Sequence, residues 1–320
     1  MKLWTVGAAV VALAAIPTAA GAVTLTNGTG DGKVTVGVSG AGAFGSSAGA
    51  GTSNAFFDPV GSTARGATTF ESYVYLGFGG ARSNLSRVAS TITAQTATSL
   101  TSSFTSNGLS FVLLQDLADT LTNGVQTGSL LTQAYSITNT TGASLTFDLV
   151  RYLDGDLGFN GTGNNDGGGR LVSNGAEILF ETDTAIGSAD SDTFVGISNE
   201  GGASTGYEIA SYAGLLSRVE NGSSLANVIV GDGPDADQFI DSGQGYDVAL
   251  ALGRSFTLGA GQSATFTTRT IFGTGVPGEV VIPTPPGVPE PATWGMMLAG
   301  FGLVGAGMRS RRRRTGVAFA

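Results

Sequence analysis

The stretch Ser263–Phe272 reads Ser-Ala-Thr-Phe-Thr-Thr-Arg-Thr-Ile-Phe and decides the fold class. Ala264, Phe266 and Phe272 occupy even positions, whereas the odd positions are mostly polar, with Ile271 the exception. Apolar residues that alternate with polar ones, rich in threonine and aromatics, predict a β-strand with one face on a core.

Similar patterns recur along the chain and predict about ten strands. The others are Val34–Val38, Tyr73–Phe78, Leu109–Leu114, Leu130–Thr138, Leu145–Leu153, Ala176–Phe180, Thr193–Ser198, Tyr207–Tyr212 and Asp247–Leu252. The glycine-containing connection Asn139–Ala143 predicts a hairpin between its two flanking strands. Leu113, Leu114, Leu117 and Leu121 fall at helical spacing and predict a short helix. We therefore expect an all-β domain, an antiparallel β-sandwich.

The composition excludes several classes of function. The 320 residues contain no cysteine and no histidine, so disulfides and sites that need a thiolate or an imidazole are excluded. A sequence pI near 4.4 argues against nucleic acid as a partner. Only Glu290 of the 24 acidic residues lies in the chain ends, which hold six of the 15 basic residues, so the central region is strongly acidic. Such an excess of acidic residues favours solubility and the binding of Ca²⁺.

The first 22 residues have the pattern of a secretory signal peptide. Lys2 is followed by the uncharged run Leu3–Ile16, and small residues surround Ala20 and Ala22. We expect cleavage after Ala22, which leaves residues 23–275 as an exported β-sandwich ectodomain.

The other end has a fixed order of parts. A linker rich in proline and glycine (276–288) precedes Pro289, Glu290 and Pro291, and residues 292–308 then form an uncharged run of 17 residues. At 1.5 Å per residue this run spans about 25 Å, so with its flanks it predicts one transmembrane helix. The helix contains Trp294, Gly300 and Gly302, and the segment 309–314 supplies Arg309, Arg311, Arg312, Arg313 and Arg314 before the tail 315–320. By the positive-inside rule, the ectodomain lies outside the cytoplasmic membrane.

Residues 289–314 resemble the PEP-CTERM sorting signal of Gram-negative bacteria, an element also labelled an ice-binding protein C-terminal motif. The resemblance rests on Val288-Pro289-Glu290-Pro291, Trp294, the glycine-rich apolar run and the arginine cluster. It implies that an exosortase, a membrane protease, is a partner. It also implies an inner-membrane anchored precursor that is processed near Pro289–Pro291 and reaches the cell surface or the extracellular space. Such proteins are often linked to exopolysaccharide and biofilm matrix.

An acidic loop after the strand that ends near Leu153 is the main candidate site. Asp154 and Asp156 flank one glycine, and Asn160, Asn165 and Asp166 follow within a glycine-rich stretch. Because Ca²⁺ takes six to eight oxygen ligands, these five residues predict a calcium site. The competing interpretation is a solvated loop whose side chains bond their own backbone. A second acidic run, Asp232 to Asp241, is a weaker candidate for a metal.

Three functions remain open at this stage. The preferred interpretation is a non-catalytic structural or adhesive protein of the cell surface or matrix, which contacts polysaccharide and needs no cofactor except Ca²⁺ at the acidic loop. The first alternative is a carbohydrate-active enzyme that uses two carboxylates, Asp154 or Asp156 with another acid brought near by folding. The second is an ice- or surface-binding protein, which only the label of the tail suggests.

Overall fold

The computed structural model divides the chain into two units, Met1–Val281 and Ile282–Ala320. It describes residues 22–47, 53–61, 65–122, 124–159, 165–173, 176–183, 193–275 and 277. The second unit, which contains the predicted transmembrane helix 292–308 and the sorting residues, lies outside the described residues, as does the predicted signal peptide except for Ala22. Among the residues that are described, no helix has the length and apolar character needed to cross a membrane.

The described residues form eighteen strands and one α-helix, with a single 3-10 turn at Leu85–Arg87. The strands are β1 (Val23–Thr26), β2 (Val34–Val38), β3 (Ser53–Phe57), β4 (Gly66–Ala67), β5 (Thr69–Gly77), β6 (Ser83–Asn84), β7 (Thr91–Gln95), β8 (Ser99–Ser106), β9 (Leu109–Thr122), β10 (Val125–Asn139), β11 (Leu145–Gly155), β12 (Gly167–Ser173), β13 (Ala176–Thr182), β14 (Thr193–Glu200), β15 (Ala203–Ser211), β16 (Val228–Ile229), β17 (Val248–Leu258) and β18 (Ser263–Thr274). The helix α1 (Tyr212–Glu220) follows β15. The all-β prediction is therefore confirmed, with more strands than expected, and most of the predicted strands extend further than their sequence pattern indicates.

The strands form three sheets. A small sheet has the order β1-β2-β3-β4, an eight-stranded sheet has the order β12-β13-β14-β18-β10-β9-β8-β7, and a six-stranded sheet has the order β16-β15-β17-β11-β5-β6. Neighbouring strands are antiparallel except for β15 and β16. Strand β18, which contains Ser263–Phe272, lies inside the eight-stranded sheet between β10 and β14. Both of its faces are buried from Phe266 to Gly273, so the expected polar face applies only to its first residues.

The two large sheets share one hydrophobic core. Phe147 of β11 and Phe256 of β17 stack with ring centroids 5.4 Å apart within the six-stranded sheet. The ring of Phe266, on β18 of the eight-stranded sheet, meets Phe256 edge-on at 6.2 Å. These rings belong to a single cluster of buried side chains. The opposite face of the six-stranded sheet is covered by α1, through Leu215 and Val219.

Two local predictions were wrong, and in both cases tertiary packing decided the outcome. The connection Asn139–Ala143 does not close a hairpin, because β10 lies in the eight-stranded sheet and β11 in the six-stranded one. The predicted leucine helix is part of β9, in which Leu113 and Leu117 are buried whereas Leu114 and Leu121 are about half exposed.

Candidate functional site

Strand β11 ends at the candidate site. Acidic side chains follow the apolar ones at this end of the strand. It runs between β5 and β17, and Asp154 lies opposite Glu71 on one side and Ala249 on the other. Asp156 follows directly after the strand, and its backbone N–H donates to the Thr68 carbonyl oxygen at 3.3 Å. The two aspartates flanking Gly155 therefore belong to the end of a strand in the middle of the six-stranded sheet.

The antiparallel register brings a distant acid to the same place. The β11–β17 ladder pairs Leu153 with Leu250 and Asp154 with Ala249. The ladder ends at this pair. Asp156 and Asp247, the residue before β17, lie just beyond it, close enough for the charge of Asp156 to raise the pKa of Asp247. Asp156 and Asp247 are both half-buried, and we call them the outer pair.

Three further carboxyl groups lie deeper. Asp154, Asp166 and Glu181 are 2%, 1% and 0% exposed, and we call them the inner carboxyls. The backbone of Asp166 exchanges hydrogen bonds of 3.0 and 3.2 Å with Tyr246, which is the chain neighbour of Asp247. Glu181 comes from β13, an element of the eight-stranded sheet. Five acids from distant parts of the chain thus form a carboxyl cluster.

The inner carboxyls lack hydrogen-bond partners. Both side-chain oxygens of Asp166, both of Glu181 and Oδ1 of Asp154 are buried with no partner. None of the ion pairs found among the described residues involves a member of the carboxyl cluster. Buried carboxyl groups that are neither paired nor hydrogen-bonded are costly, so this arrangement needs a proton or a cation.

The glycine at position 155 makes room for the glutamate. A Cβ atom built on Gly155 would overlap both carboxyl oxygens of Glu181. The side chain of Glu181 is therefore directed at the backbone between Asp154 and Asp156. A glycine here is required by close approach, since the backbone of Gly155 has no positive φ.

Burial and mutual repulsion hold the inner carboxyls in their protonated forms. Burial, followed by the charges of Asp247 and Glu71, raises the pKa of Asp154 to about 8. Burial, followed by Asp183 and Asp247, raises the pKa of Asp166 to about 8. The pKa of Glu181 lies well above its ordinary value of 4.5, chiefly through burial. A like charge nearby always favours the neutral form of an acid.

The pKa values of the outer pair are also raised. Burial raises the pKa of Asp156. Burial and then the charge of Asp156 raise the pKa of Asp247, as expected for two neighbouring carboxyls.

Sequence reasoning found part of this cluster. Asp154, Asp156 and Asp166 of the predicted calcium site are brought together, whereas Asn165 is exposed beside Asp166 and Asn160 lies outside the described residues. Glu181 and Asp247 were missed, because an acid within a strand pattern resembles an ordinary outward-facing residue. Their only sequence signal is their position: Glu181 directly follows the predicted strand Ala176–Phe180, and Asp247 begins the predicted strand Asp247–Leu252.

The second acidic run also forms a group. Ligand atoms of Asp232, Asp235 and Asp237 lie within 4.8 Å of one another. Asp232 Oδ1 accepts from the backbone N–H groups of Gln238 and Phe239, at 2.8 and 3.2 Å. Because Asp235 and Asp237 are exposed and the loop uses its oxygens to hold its own backbone, this run is the weaker candidate.

Comparison with solved structures found enzymes of carbohydrate chemistry. A bacterial glucoamylase in complex with acarbose is 12% identical, with a TM-score of 0.48, over 83% of this chain and 33% of the glucoamylase. A galactose mutarotase related enzyme from Lactobacillus acidophilus is 10% identical, with a TM-score of 0.39, over 81% of this chain and 100% of that protein. A human-microbiome protein assigned as a kojibiose phosphorylase is 10% identical, with a TM-score of 0.38, over 77% of this chain and 29% of that protein. The chain thus spans about a third of the glucoamylase.

The preferred interpretation from the sequence, a non-catalytic structural or adhesive role in a chain that is not an enzyme, disagrees with these three neighbours, which are enzymes, and is not retained. At 10–12% identity and TM-scores below 0.5, the neighbours assign no activity to this chain. No curated protein matches the sequence.

The C-terminal end is identified by its sequence. The family model of the PEP-CTERM protein-sorting motif matches residues 287–313. This match covers the predicted Pro289-Glu290-Pro291 element, Trp294 and all but one of the terminal arginines. The motif implies exosortase-mediated sorting and supports export toward the cell surface. The chain is therefore a protein that carries a PEP-CTERM sorting motif at its C-terminal end.

Proposed function

We propose that this protein is an exported carbohydrate-active enzyme that cleaves glycosidic bonds with the outer pair, Asp156 and Asp247. The observation that carries the proposal is the position of this pair. The two carboxyls lie near each other at the ends of β11 and β17, and they are half-buried, whereas the other members of the cluster are buried. A sugar can reach Asp156 and Asp247, whereas the inner carboxyls are too deep to touch a substrate.

The proposed chemistry uses two neighbouring carboxyls, one protonated and the other ionised. One of them, in its acid form, donates a proton to the oxygen of the leaving sugar. The other, ionised, attacks the anomeric carbon or removes a proton from the attacking water, and a water molecule completes hydrolysis. Repulsion between two close carboxylates disfavours their joint ionisation, so one proton is retained by the pair.

The residue types in the chain favour this reaction over hydrolyses that use a histidine or a cysteine. Without histidine and cysteine, the chain has neither the base of a serine triad nor a thiolate nucleophile. Carboxyl groups are then the principal acids and bases for catalysis near neutral pH. Glycoside cleavage is a reaction that two of them can catalyse without a cofactor.

The test is release of reducing sugar from a panel of polysaccharides by the full-length protein. We expect Asp247→Asn and Asp156→Asn each to lower the rate at least a hundredfold, since general acid–base catalysis typically contributes 10²–10⁴. Asp235→Asn, which changes an exposed acid of the second run, is the matched control and should leave the rate unchanged. Absence of hydrolysis by the wild type, or full activity of either outer-pair variant, would contradict the proposal.

We further infer the membrane topology of the precursor. The predicted signal peptide directs export of a β-sandwich ectodomain, and the predicted transmembrane helix 292–308 holds it in the cytoplasmic membrane until the exosortase acts. Polysaccharide at the cell surface would then be the partner of the ectodomain as its substrate.

Sorting has its own expected result. Replacing Pro289, Glu290 and Pro291 together by alanine should leave a longer form in the membrane fraction, because the extended, charged recognition element is lost. Immunoblots of membrane and culture-medium fractions measure the size and the place of the product. Unchanged size and release would show that this element does not direct processing.

A further inference from the structure

We propose that Phe70 and Glu71 form a sugar-binding subsite beside the outer pair, and that this subsite selects a sugar unit with a free amino group. The proposal rests on the proposed function, because it assigns to that reaction a substrate class, polysaccharides that contain cationic amino sugars. The subsite includes no member of the outer pair, so it can be altered without a change to the carboxyls that cleave the bond.

A β-bulge in β5 exposes an aromatic ring next to the end of β11. The ladder between the two strands pairs Glu71 with Asp154 and Thr69 with Gly155, so Phe70 is an extra residue without a partner in the ladder. The side chain of Phe70 is 40% exposed. Bulges redirect side chains and are over-represented next to active sites. The irregularity in β5 therefore presents a ring that a regular strand would not present.

The bulge lies close to the outer pair. The backbone N–H of Asp156 donates to the carbonyl oxygen of Thr68 at 3.3 Å, and Phe70 follows Thr68 by two residues. Two residues along a strand span about 7 Å. A substrate whose reacting bond lies at the outer pair therefore has the ring of Phe70 within reach.

A loop that precedes β3 holds the backbone of the bulge. The N–H of Ser46 donates to the carbonyl oxygen of Thr69 at 3.2 Å, and the N–H of Ser47 donates to that of Phe70 at 3.0 Å. Gly45 lies so close that a Cβ atom built on it would overlap the Phe70 carbonyl oxygen, and its φ of +118° also requires glycine. The ring is thus carried by a fixed backbone, which lowers the entropic cost of binding.

Glu71 supplies a half-buried carboxylate. Its Oε1 accepts from the hydroxyl of Ser47 at 2.8 Å. Asp154 lies directly opposite in the ladder, so the two side chains project from the same face of the sheet, with Cβ atoms about 4.5–5.5 Å apart. Asp154 is 2% exposed, and its Oδ1 has no hydrogen-bond partner. Two acids on one face, one of them with a buried oxygen that lacks a donor, favour a cation bound at Glu71.

The charges around the subsite favour an amine over an acid. In the part of the chain that the structure describes, the ion pairs engage other acids, and none reaches Glu71 or the carboxyl cluster. A uronic acid would bring a further negative charge to a place without a basic partner. A protonated amine would instead donate a charge-assisted hydrogen bond to Glu71. The ring of Phe70 adds contact area for the apolar face of the sugar and attraction for a cation.

The experiment compares two oligosaccharides that share their length and linkage and differ in charge, a hexamer of glucosamine and a hexamer of N-acetylglucosamine. Isothermal titration calorimetry measures their affinities for the full-length Asp247→Asn protein in slightly acidic buffer, so that turnover does not consume them. We expect the glucosamine hexamer to bind about tenfold more tightly or better, because hydrogen bonds to charged groups are the strong ones. Added salt should reduce this preference.

Four further substitutions in the Asp247→Asn protein test the assignment. Glu71→Gln keeps the shape of the side chain and an oxygen for Ser47, and it should abolish the preference. Ser47→Ala, which frees Glu71 from its donor, should reduce it. Phe70→Ala should weaken both hexamers about tenfold and leave their ratio unchanged. Asp235→Asn removes one exposed negative charge elsewhere and, as the matched control, should retain the preference. Equal affinity for the two hexamers, no binding of either, or a preference that Glu71→Gln retains would overturn the proposal.

Failure of this proposal can be told apart from failure of the enzymatic one, because binding is measured without turnover. A preference that depends on Glu71, without sugar release by the wild type, would support a binding subsite and contradict the enzyme. Sugar release by the wild type, without a preference for the glucosamine hexamer, would support the enzyme and overturn the subsite.

Discussion

Replacing Arg151 by alanine is expected to lower the free energy of unfolding by about 4 kcal/mol, among the largest losses that one substitution can cause in this protein. The guanidinium is fully buried between the sheets. Its Nη1 donates to the carbonyl oxygens of Tyr73 and Tyr152, at 3.1 and 2.9 Å. Its Nη2 donates to the hydroxyls of Ser72 and Thr270, at 2.8 and 3.0 Å.

These contacts explain the size of the effect. Thr270 lies on β18, so Arg151 links the eight-stranded sheet to β5 and β11 of the six-stranded one. The Phe44 ring packs against the guanidinium, with its centroid 5.6 Å from Cζ. Alanine would leave a cavity of several atoms and two buried hydroxyls without their partner, and both changes destabilise the fold. Burial also lowers the pKa of Arg151 to about 10, so the folded state keeps this charge at a cost.

Methionine and lysine at the same position separate packing from charge. Arg151→Met fills most of the volume without a charge and should cost less than about 2 kcal/mol, since a buried charge is often replaced by an apolar side chain without loss. Arg151→Lys keeps the charge but cannot bond four acceptors at once, so it should resemble alanine more than methionine. Urea unfolding monitored by circular dichroism measures all three. A methionine variant as unstable as the alanine variant would contradict this explanation.

Strands were predictable from local pattern because side chains alternate between the faces of a sheet. In β11, Phe147, Leu149 and Leu153 are buried, as their spacing predicts. Arg151, on the same face, looked like an interruption of that pattern. It belongs to the core because the backbone and hydroxyl groups that receive its hydrogen bonds come from β5 and β18, which no local pattern can reveal.

Strand pairing was less predictable, since it depends on distant turns. Asn139 N–H donates to the Gln262 carbonyl oxygen at 2.9 Å, and the Asn139 side chain donates to the Leu258 carbonyl oxygen at 2.9 Å. The connection between β10 and β11 is thus fastened to the one between β17 and β18, and both cross from one large sheet to the other. A glycine-containing loop of five residues is compatible with a hairpin and with such a crossing.

The candidate site was half predictable for a similar reason. Asp154, Asp156 and Asp166 stand out in a glycine-rich acidic loop, which is a local signal. Asp247 joins them only through the register of β11 and β17, and Glu181 only through the approach of β13 to Gly155. The sequence therefore indicates where acids are concentrated, and the tertiary structure determines which of them lie close together.

The free energy of unfolding of the wild-type protein in chelator is expected to fall as the pH rises from 5 to 8.5, by about 4 kcal/mol for each carboxyl that titrates independently. The pKa values of Asp154 and Asp166 are about 8 in the folded protein, against 3.8 as the ordinary value. Between these values the folded state binds more protons than the unfolded chain. This stability is fully present below pH 4 and is lost as the pH rises through 8.

The groups around Asp154 explain why the free energy of unfolding falls as the pH rises. After burial, its pKa is raised by Asp247, Glu71, Asp156 and Asp166, all of them acids. Ordinary surface carboxyls are already ionised above pH 5 in both states, so they contribute little to the slope in this range. Urea unfolding at several pH values in chelator measures the slope of the free energy of unfolding against pH. Asp154→Asn should make the slope smaller, whereas Asp235→Asn should not. A free energy of unfolding that stays constant or increases from pH 5 to 8 would refute the assignment of buried, protonated acids.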